Sequence, residues 1–371
     1  MRAVLVTGAK GFIGQNLCVA LRERKDLELL EADLDTPAEV FEAYVAKADL
    51  IYHLAGVNRP KDLSEFTTGN AGTAELLVQL ALESGRAPAV VLSSSVQAAL
   101  DNPYGLSKRE AERIVMDYAD RSGAKAYIYR LQNAFGKWSR PFYNSVVSTF
   151  CYQAAHGQEF RIDDPTKVVE FVYVDDIVRS FVGILDDLEP VRRGGFCVVE
   201  SSYPVSLGQL AEKLTRFVAS RRDCVLPELS DVFEKKLYST YLSYLEPEAF
   251  AYPAEKKADA RGYLFELIKS PHAGQIFVSR TLPGITRGNH YHHTKVEKFC
   301  VVDGRARIAF RHIASGERIS LEVEGEDCRV VDIPPGWTHN ITNIGERDLI
   351  TLFWANEIFD AQNPDTIYAE V

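Results

Sequence analysis

No apolar run in the 371 residues approaches the roughly 20 that a membrane-spanning helix needs, so insertion into a membrane is not expected. The N-terminus carries no signal-peptide pattern. Met1-Arg2-Ala3-Val4-Leu5-Val6-Thr7 runs straight into a strand-like segment, which makes the cytoplasm the expected compartment. Cysteine is sparse: Cys18, Cys151, Cys197, Cys224, Cys300 and Cys328 are scattered, without a C-x-x-C pair. They read as buried thiols of a reducing compartment, with no chemistry assigned. Basic residues are in deficit, 42 Lys and Arg against 52 Asp and Glu for a net charge of −10, and no local basic patch is evident. Nucleic acid is therefore not an expected partner, nor is an anionic membrane surface. What is present is a globular composition, 46% hydrophobic and 25% charged, which excludes disorder as the dominant state. On a prior of roughly 100 to 200 residues per domain, the length predicts two domains.

The chain opens with an apolar strand, Ala3 to Val6, then Thr7-Gly8-Ala9-Lys10-Gly11-Phe12-Ile13-Gly14, then an amphipathic stretch. Strand, glycine turn and helix is the order that a dinucleotide site needs. Gly8 permits the turn, Gly11 the approach of a pyrophosphate and Gly14 close packing of helix on strand, while the helix N-terminus offers free N–H groups. Further strand-like segments at Leu27–Glu31, Leu50–Leu54, Val90–Leu92 and Ala126–Tyr129 alternate with helical stretches at Glu39–Ala46 and Ala74–Leu82. This alternation predicts an α/β fold, a Rossmann-like doubly wound parallel sheet with its ligand across the carboxyl ends of the strands.

One strand ends in Ser93, Ser94 and Ser95, and Asn102-Pro103-Tyr104-Gly105-Leu106-Ser107-Lys108 follows. Tyr104 and Lys108 are four residues apart and share one helix face. A cation beside a phenol favours phenolate, so Lys108 is expected to lower the Tyr104 pKa. Such a tyrosine can exchange a proton while hydride moves at a carbonyl carbon, and a serine hydroxyl can hold the carbonyl oxygen.

With these segments in hand, the chain resembles the extended short-chain dehydrogenase/reductase family, nucleotide-sugar branch. The resemblance covers about residues 1 to 243. It rests on TGAKGFIG at Thr7–Gly14, HLAG at His53–Gly56, Asn70, LSSS at Leu92–Ser95, NPYGLSK at Asn102–Lys108, YRLQNAFG at Tyr129–Gly136 and FVYVDDIV at Phe171–Val178. It implies Ser94, Tyr104 and Lys108 as the catalytic trio. It also implies a dinucleotide against Gly8, Lys10, Gly11, Phe12, Ile13, Gly14, Asp33, Leu34, Leu54, Ala55 and Gly56, together with Tyr104 and Lys108, and a sugar nucleotide facing Arg130 and Asn133. Dehydratases of the family carry acidic residues after the catalytic hydroxyl, where Ser95 and Val96 stand here, which argues against elimination of water. NADPH is the expected reductant, with Lys10 as partner for a 2′-phosphate. NADH is the alternative, because Asp33 or Asp35 would favour free ribose hydroxyls.

Beyond Val199 the alternation weakens into one amphipathic helix, Leu207–Val218, and an aromatic-rich run, Leu237–Leu245, that reads as a buried joint. The expected division is residues 1–243, a linker at 244–258 and a second domain at 259–371. Ile276–Ser279, Glu297–Val302, Ala306–His312, Arg318–Val323 and Leu349–Trp354 read as short strands with Gly-containing turns between them, which predicts an all-β barrel or jelly roll. Within it, His290 and His292 lie two apart and so face one side of a strand. With Glu297 and His339 they make three imidazoles and a carboxylate, a set suited to Zn, Fe, Mn, Ni or Co.

This spacing resembles the cupin family. Its first motif is matched by Gly284, His290, His292, Glu297 and Gly304, and its second by Pro334, Gly336, His339 and Asn343, with Cys328 where a glycine belongs. The resemblance implies a cupin barrel holding a divalent metal, zinc first among the candidates. A reductase joined to a cupin in turn resembles bifunctional capsular-polysaccharide epimerase/reductases, through NPYG at Asn102–Gly105, the Tyr-rich run and Gly288–His293. It implies a UDP-2-acetamido-2,6-dideoxy-4-ketohexose that the cupin epimerises at C3 and the reductase then reduces at C4. The product would be the talose-configured sugar nucleotide on the way to UDP-N-acetyl-L-fucosamine, made by a homodimer or larger homo-oligomer. Two other readings are a cupin acting only in dimerisation and a dinucleotide-binding regulator without turnover. Because both ligands are anionic, an acidic chain is expected to concentrate positive potential at the glycine turn, Lys108 and Arg130.

Overall fold

Val4 and Val6 bury their side chains on one face of the first strand and Ala3 and Leu5 on the other, as a parallel strand covered on both sides requires. The computed structural model describes residues 1–223, 225–253, 257–259, 262–264, 274–357 and 362–371. It places this strand, β1 (Arg2–Thr7), ahead of α1 (Phe12–Arg22), β2 (Leu27–Ala32), α2 (Ala38–Lys47), β3 (Leu50–His53) and α3 (Thr73–Glu83). Then come β4 (Ala89–Ser95), α4 (Pro103–Ser122) and β5 (Ala126–Leu131). The five strands pair in parallel in the order β2-β1-β3-β4-β5. On one face Tyr52 and Tyr129 pack with Leu17 and Leu21 of α1 and with Ile177 and Phe181 of helix Val174–Leu185. On the other, Ile51 and Ile128 pack with Val45, Leu77 and Val115 of α2, α3 and α4. The order reverses between β1 and β3, so their carboxyl ends, Thr7 and His53, frame the crevice where a ligand of such a sheet lies.

Local chemistry explains where α4 begins. The Asn102 side chain accepts the Gly105 N–H at 2.8 Å and Pro103 stands in the first turn, a cap that sets Tyr104 at the very start of the helix. Gly123, at φ +72°, closes the other end in the left-handed conformation.

The second half is antiparallel. Beside a short antiparallel pair, Lys257–Asp259 with Gly262–Leu264, its strands are β6 (Ala251–Pro253), β7 (Gln275–Thr281), β8 (Thr286–Tyr291), β9 (Glu297–Asp303), β10 (Arg305–His312), β11 (Arg318–Glu324), β12 (Arg329–Ile333), β13 (Trp337–Asn343), β14 (Leu349–Ala355) and β15 (Ile367–Tyr368). They form two five-stranded sheets, β6-β12-β9-β14-β7 and β11-β10-β13-β8-β15. Cys328, where the motif has glycine, adopts φ +52° and so keeps the left-handed turn.

The chain forms two compact units, Met1–Ser145 with Val169–Pro204, and Val146–Val168 with Val205–Val371. The second unit therefore takes helices Val146–Ala155, Leu207–Asp223 and Val232–Leu242 along with the β-sheets. The aromatic-rich run forms much of the last of these helices, with Tyr238 and Tyr241 buried near Phe217. Among the described residues five cysteines are buried and free, and no helix is long and apolar enough to cross a membrane. Cys224 lies outside the described residues.

Candidate functional site

The glycine turn leaves room that no other residue would leave. A Cβ on Gly14 would sit 2.0 Å from the Gly8 carbonyl oxygen, and Gly8, at φ +69°, would drive one to 2.7 Å from the Ala55 nitrogen. Gly11, the N-cap of α1, makes no side-chain cap bond, which leaves first-turn N–H groups for an anion. The turn is braced from below: the Thr7 hydroxyl bonds His53 Nδ1 at 2.8 Å and accepts the Ala55 N–H at 3.3 Å. Asp33 caps it from the side by accepting the Lys10 N–H at 2.8 Å. Beside Asp33 opens a cavity of about 280 Å³ lined by Lys10, Glu31, Asp35 and Val40 among others. There Lys10 pairs with Asp35 at 2.5 Å. The emptied cradle, free helix terminus and adjoining cavity fit a dinucleotide. Leu34, expected against the dinucleotide, is fully exposed.

Across the crevice, Lys108 is buried and donates to the Ser93 carbonyl at 2.9 Å. Burial pushes its pKa down to about 8, against the pull of Glu112. Tyr104 does not become a phenolate here: burial pushes its pKa up to about 12, opposed by a side-chain hydrogen bond with Ser95. The expectation that Lys108 lowers it is corrected: burial of the phenolate decides the direction, and what opposes it is the Ser95 hydrogen bond rather than the Lys108 ammonium. The structure likewise does not bring Ser94 to Tyr104. Side chains alternate along β4: Ser94 donates to the buried Glu112 carboxylate at 2.5 Å, two turns along α4 from Tyr104, and Ser95 is the serine that bonds Tyr104.

Arg130 meets the same carboxylate as Ser94. It holds Glu112 in a two-point ion pair, Nε at 2.9 Å and Nη2 at 2.7 Å, and stacks over Phe196 at 3.6 Å. Its charge is paired with a buried carboxylate, which offsets the positive potential expected at Arg130. Asn133, exposed, donates to the Glu170 carbonyl at 3.2 Å. Sequence reasoning missed Glu112, although its place four residues after Lys108 puts it on the same face of α4. It also missed the buried Lys137, paired with Asp175 at 2.6 Å.

In the second unit the strands bring all four expected ligands together. Nitrogen and oxygen atoms of His290, His292, Glu297 and His339 lie within 4.8 Å of one another. His290 stands near the end of β8 past a bulge, Glu297 opens β9, and His339 lies in β13 opposite His290. Glu297 Oε2 is 3.4 Å from both His292 Nε2 and His339 Nε2, and both nitrogens are buried without a hydrogen-bond partner. Buried polar atoms are rarely left this way, and three imidazoles converging on a carboxylate are what a divalent cation takes. Burial, with the neighbouring imidazoles, pushes the His290 pKa down to about 4 and so keeps its ring neutral for a metal. Burial alone would raise the Glu297 carboxyl, but His292 and His339 hold it well below its ordinary value. The set fits a metal. Lys298, adjacent in sequence to Glu297, turns instead to Asp332 at 2.6 Å.

Residues 4–199 match the NAD dependent epimerase/dehydratase family and residues 257–367 a polysaccharide biosynthesis C-terminal domain. A UDP-2-acetamido-2,6-beta-L-arabino-hexul-4-ose reductase of Pseudomonas aeruginosa is 41% identical over 368 residues, 99% of this chain and 98% of that protein. The crystal structure of the capsular polysaccharide assembling protein CapF from Staphylococcus aureus superposes with a TM-score of 0.69 at 44% identity, covering 100% of both chains. UDP-glucuronic acid decarboxylase 5 of Arabidopsis thaliana is 27% identical over 247 residues, 53% of this chain and 72% of that protein.

Proposed function

The chain belongs to the NAD dependent epimerase/dehydratase family, and from that premise we propose a bifunctional nucleotide-sugar enzyme of polysaccharide biosynthesis. The substrate is a UDP-2-acetamido-2,6-dideoxy-4-ketohexose, epimerised at C3 in the cupin-like β-half and reduced at C4 in the Rossmann-like half. The name of the Pseudomonas aeruginosa relative, similar over its full length, supports this substrate class. The observation that carries the reading is the pairing, in one chain, of the Tyr104–Lys108 face beside a glycine-turn cradle with a buried four-ligand cluster.

Reduction needs a proton for the C4 oxygen as the carbon gains hydride. A bound nicotinamide dinucleotide, NADPH or alternatively NADH, supplies that hydride. Tyr104, protonated because it is buried, gives its phenolic proton to the oxygen, and Lys108 stabilises the phenolate left behind. The Ser95 hydroxyl, on the tyrosine side, takes the orienting role expected of Ser94. Lys10, the cation beside the adenosine cavity, is the residue that a 2′-phosphate would meet.

Epimerisation exchanges the C3 proton, acidic because it lies beside the C4 carbonyl. His290, His292, Glu297 and His339 would hold a divalent metal, zinc first, whose Lewis acidity eases removal of that proton by drawing charge onto the carbonyl oxygen. The active form is proposed as a homodimer or larger.

Two single variants test the division of labour with UDP-2-acetamido-2,6-dideoxy-4-ketohexose in deuterated solvent. Tyr104→Phe should cut NAD(P)H oxidation by about a thousandfold or more while C3 deuterium exchange, read by NMR, persists. His339→Gln should abolish the exchange while NADPH still binds. Exchange at the wild-type rate in His339→Gln would refute the assignment of C3 chemistry to the β-half.

A further inference from the structure

The His292 ring is fixed from outside the sheet that carries its motif. Its Nδ1 bonds the main-chain carbonyl oxygen of Asp365, and a carbonyl can only accept. Nδ1 therefore carries the hydrogen, and Nε2 presents its lone pair to the cluster, 3.4 Å from Glu297 Oε2. His339 reaches the same state within its own strand, its Nδ1 bonded to the Trp337 carbonyl at 3.3 Å. For His292 the acceptor is 73 residues away.

The segment that supplies it, residues 362–371, is tied to this region along much of its length. The Asp365 carboxylate accepts the His293 N–H at 2.8 Å, the Thr294 N–H at 2.7 Å, the Thr294 hydroxyl at 2.9 Å and the Lys295 N–H at 2.6 Å. These bonds draw its pKa down to about 2, against the burial that would raise it. Next to it, the Thr366 hydroxyl accepts from Lys295 Nζ at 2.8 Å, an ammonium that also lies 3.8 Å from Glu297 Oε1. β15 then pairs with β8 across Tyr291↔Ile367 and His290↔Tyr368, and the Ala369 N–H reaches the Asn289 carbonyl at 2.9 Å.

We propose that residues 362–371 form a strap that completes the metal centre, with Asp365 as its positioning residue. Its carbonyl sets the His292 tautomer, and its carboxylate fixes the backbone from His293 to Lys295 that carries that ring towards Glu297. The inference rests on reading the four-residue cluster as a metal site. Outer partners of this kind are worth roughly 10- to 100-fold in metal affinity.

The test is competitive titration of the full chain with Co(II) and Zn(II), read by the visible Co(II) spectrum and by metal content after chelation. It compares wild type, Asp365→Ala, Thr366→Val and a chain ending at Asn363. Asp365→Ala, which keeps the carbonyl but loses the clasp, is expected to bind about tenfold more weakly. The shortened chain should lose up to about a hundredfold, and Thr366→Val, which removes only the tie to Lys295 Nζ, should lose less than Asp365→Ala does. Long-range nitrogen-proton NMR of the apo full chain should show His292 protonated at Nδ1. Metal uptake by wild type with unchanged affinity in Asp365→Ala would overturn the strap alone, as would an Nε2-protonated His292. No uptake by wild type would overturn the metal reading and the strap with it.

Discussion

Lys108 keeps its ammonium where water does not reach it, between the Ser93 carbonyl, the buried His53 ring and Glu112 four residues along the same helix. Burial brings its folded pKa to about 8 from an ordinary 10.5. Between these two values the unfolded chain binds more protons than the folded one, so stability rises with pH across that window, and the cost of the buried charge is in full force below it. At neutral pH that cost is on the order of 3 kcal/mol. Lys108→Met should therefore raise the urea midpoint at pH 7, with a gain that shrinks as pH climbs from about 8 to 10.5, while NAD(P)H oxidation is lost. A gain equal at both ends of the window would contradict the assignment. The Tyr104–Lys108 pair was legible from spacing, because four residues on a helix face need no tertiary information. The serine was not. Three hydroxyls follow one another at the end of β4, and only the pleat, seen once the strand is paired, shows that Ser94 belongs with Glu112 and Ser95 with Tyr104. Burial also reversed the expected direction for Tyr104, because spacing does not reveal how deeply the phenol is desolvated.

At the scale of elements, helix Leu207–Asp223 and the strands β9 and β12 meet through buried charge. Lys298 and Asp332 are cross-strand partners in register, and Arg221 reaches the same carboxylate and lies 4.2 Å over the Tyr252 ring. Burial opposes the Lys298 ammonium, but Asp332 beside it holds its pKa well above the ordinary value. Two cations thus depend on one carboxylate that is itself fully buried. Asp332→Asn should destabilise the second unit by about 3 to 5 kcal/mol in urea unfolding, because it strands both charges. Asp332→Leu combined with Lys298→Met should cost less than that single change. A single variant as stable as wild type would dismiss the network as a stabilising feature. Several strands were legible from Gly-containing turns and apolar runs, and β8 from the H-x-H step alone, yet β12 and β13, polar or broken by motif residues, were not. The four-residue cluster itself was, since the H-x-H step and the distances to Glu297 and His339 survive a bulge between Gly288 and His290 that shifts the register. Asp365 gave no signal, because nothing in local spacing links it to His292.

For the whole molecule, the chain's linear order and its compact units differ, and this decides how the two halves can be separated. A cut near residue 245 looks natural in the sequence, where aromatic residues give way to Pro247 and Pro253. In the structure, helices Leu207–Asp223 and Val232–Leu242 belong to the unit that also contains the β-sheets. Such a cut removes Asp332 and the Ala249 carbonyl from Arg221, the Thr294 carbonyl from the Ser239 hydroxyl and Glu357 from Lys235. The heaviest loss falls on Arg221, whose mostly buried guanidinium would be left without its carboxylate. Composition hid this, since the cluster is built from charges that in an acidic chain read as surface. A chain ending at Leu245 should accordingly aggregate or unfold without a cooperative transition, as seen by light scattering and circular dichroism, even though its glycine turn and Tyr104–Lys108 face are intact. A monodisperse, cooperatively unfolding product would show instead that these helices stand without their β partners, and the nucleotide-binding half could then be studied by deletion rather than by point substitution.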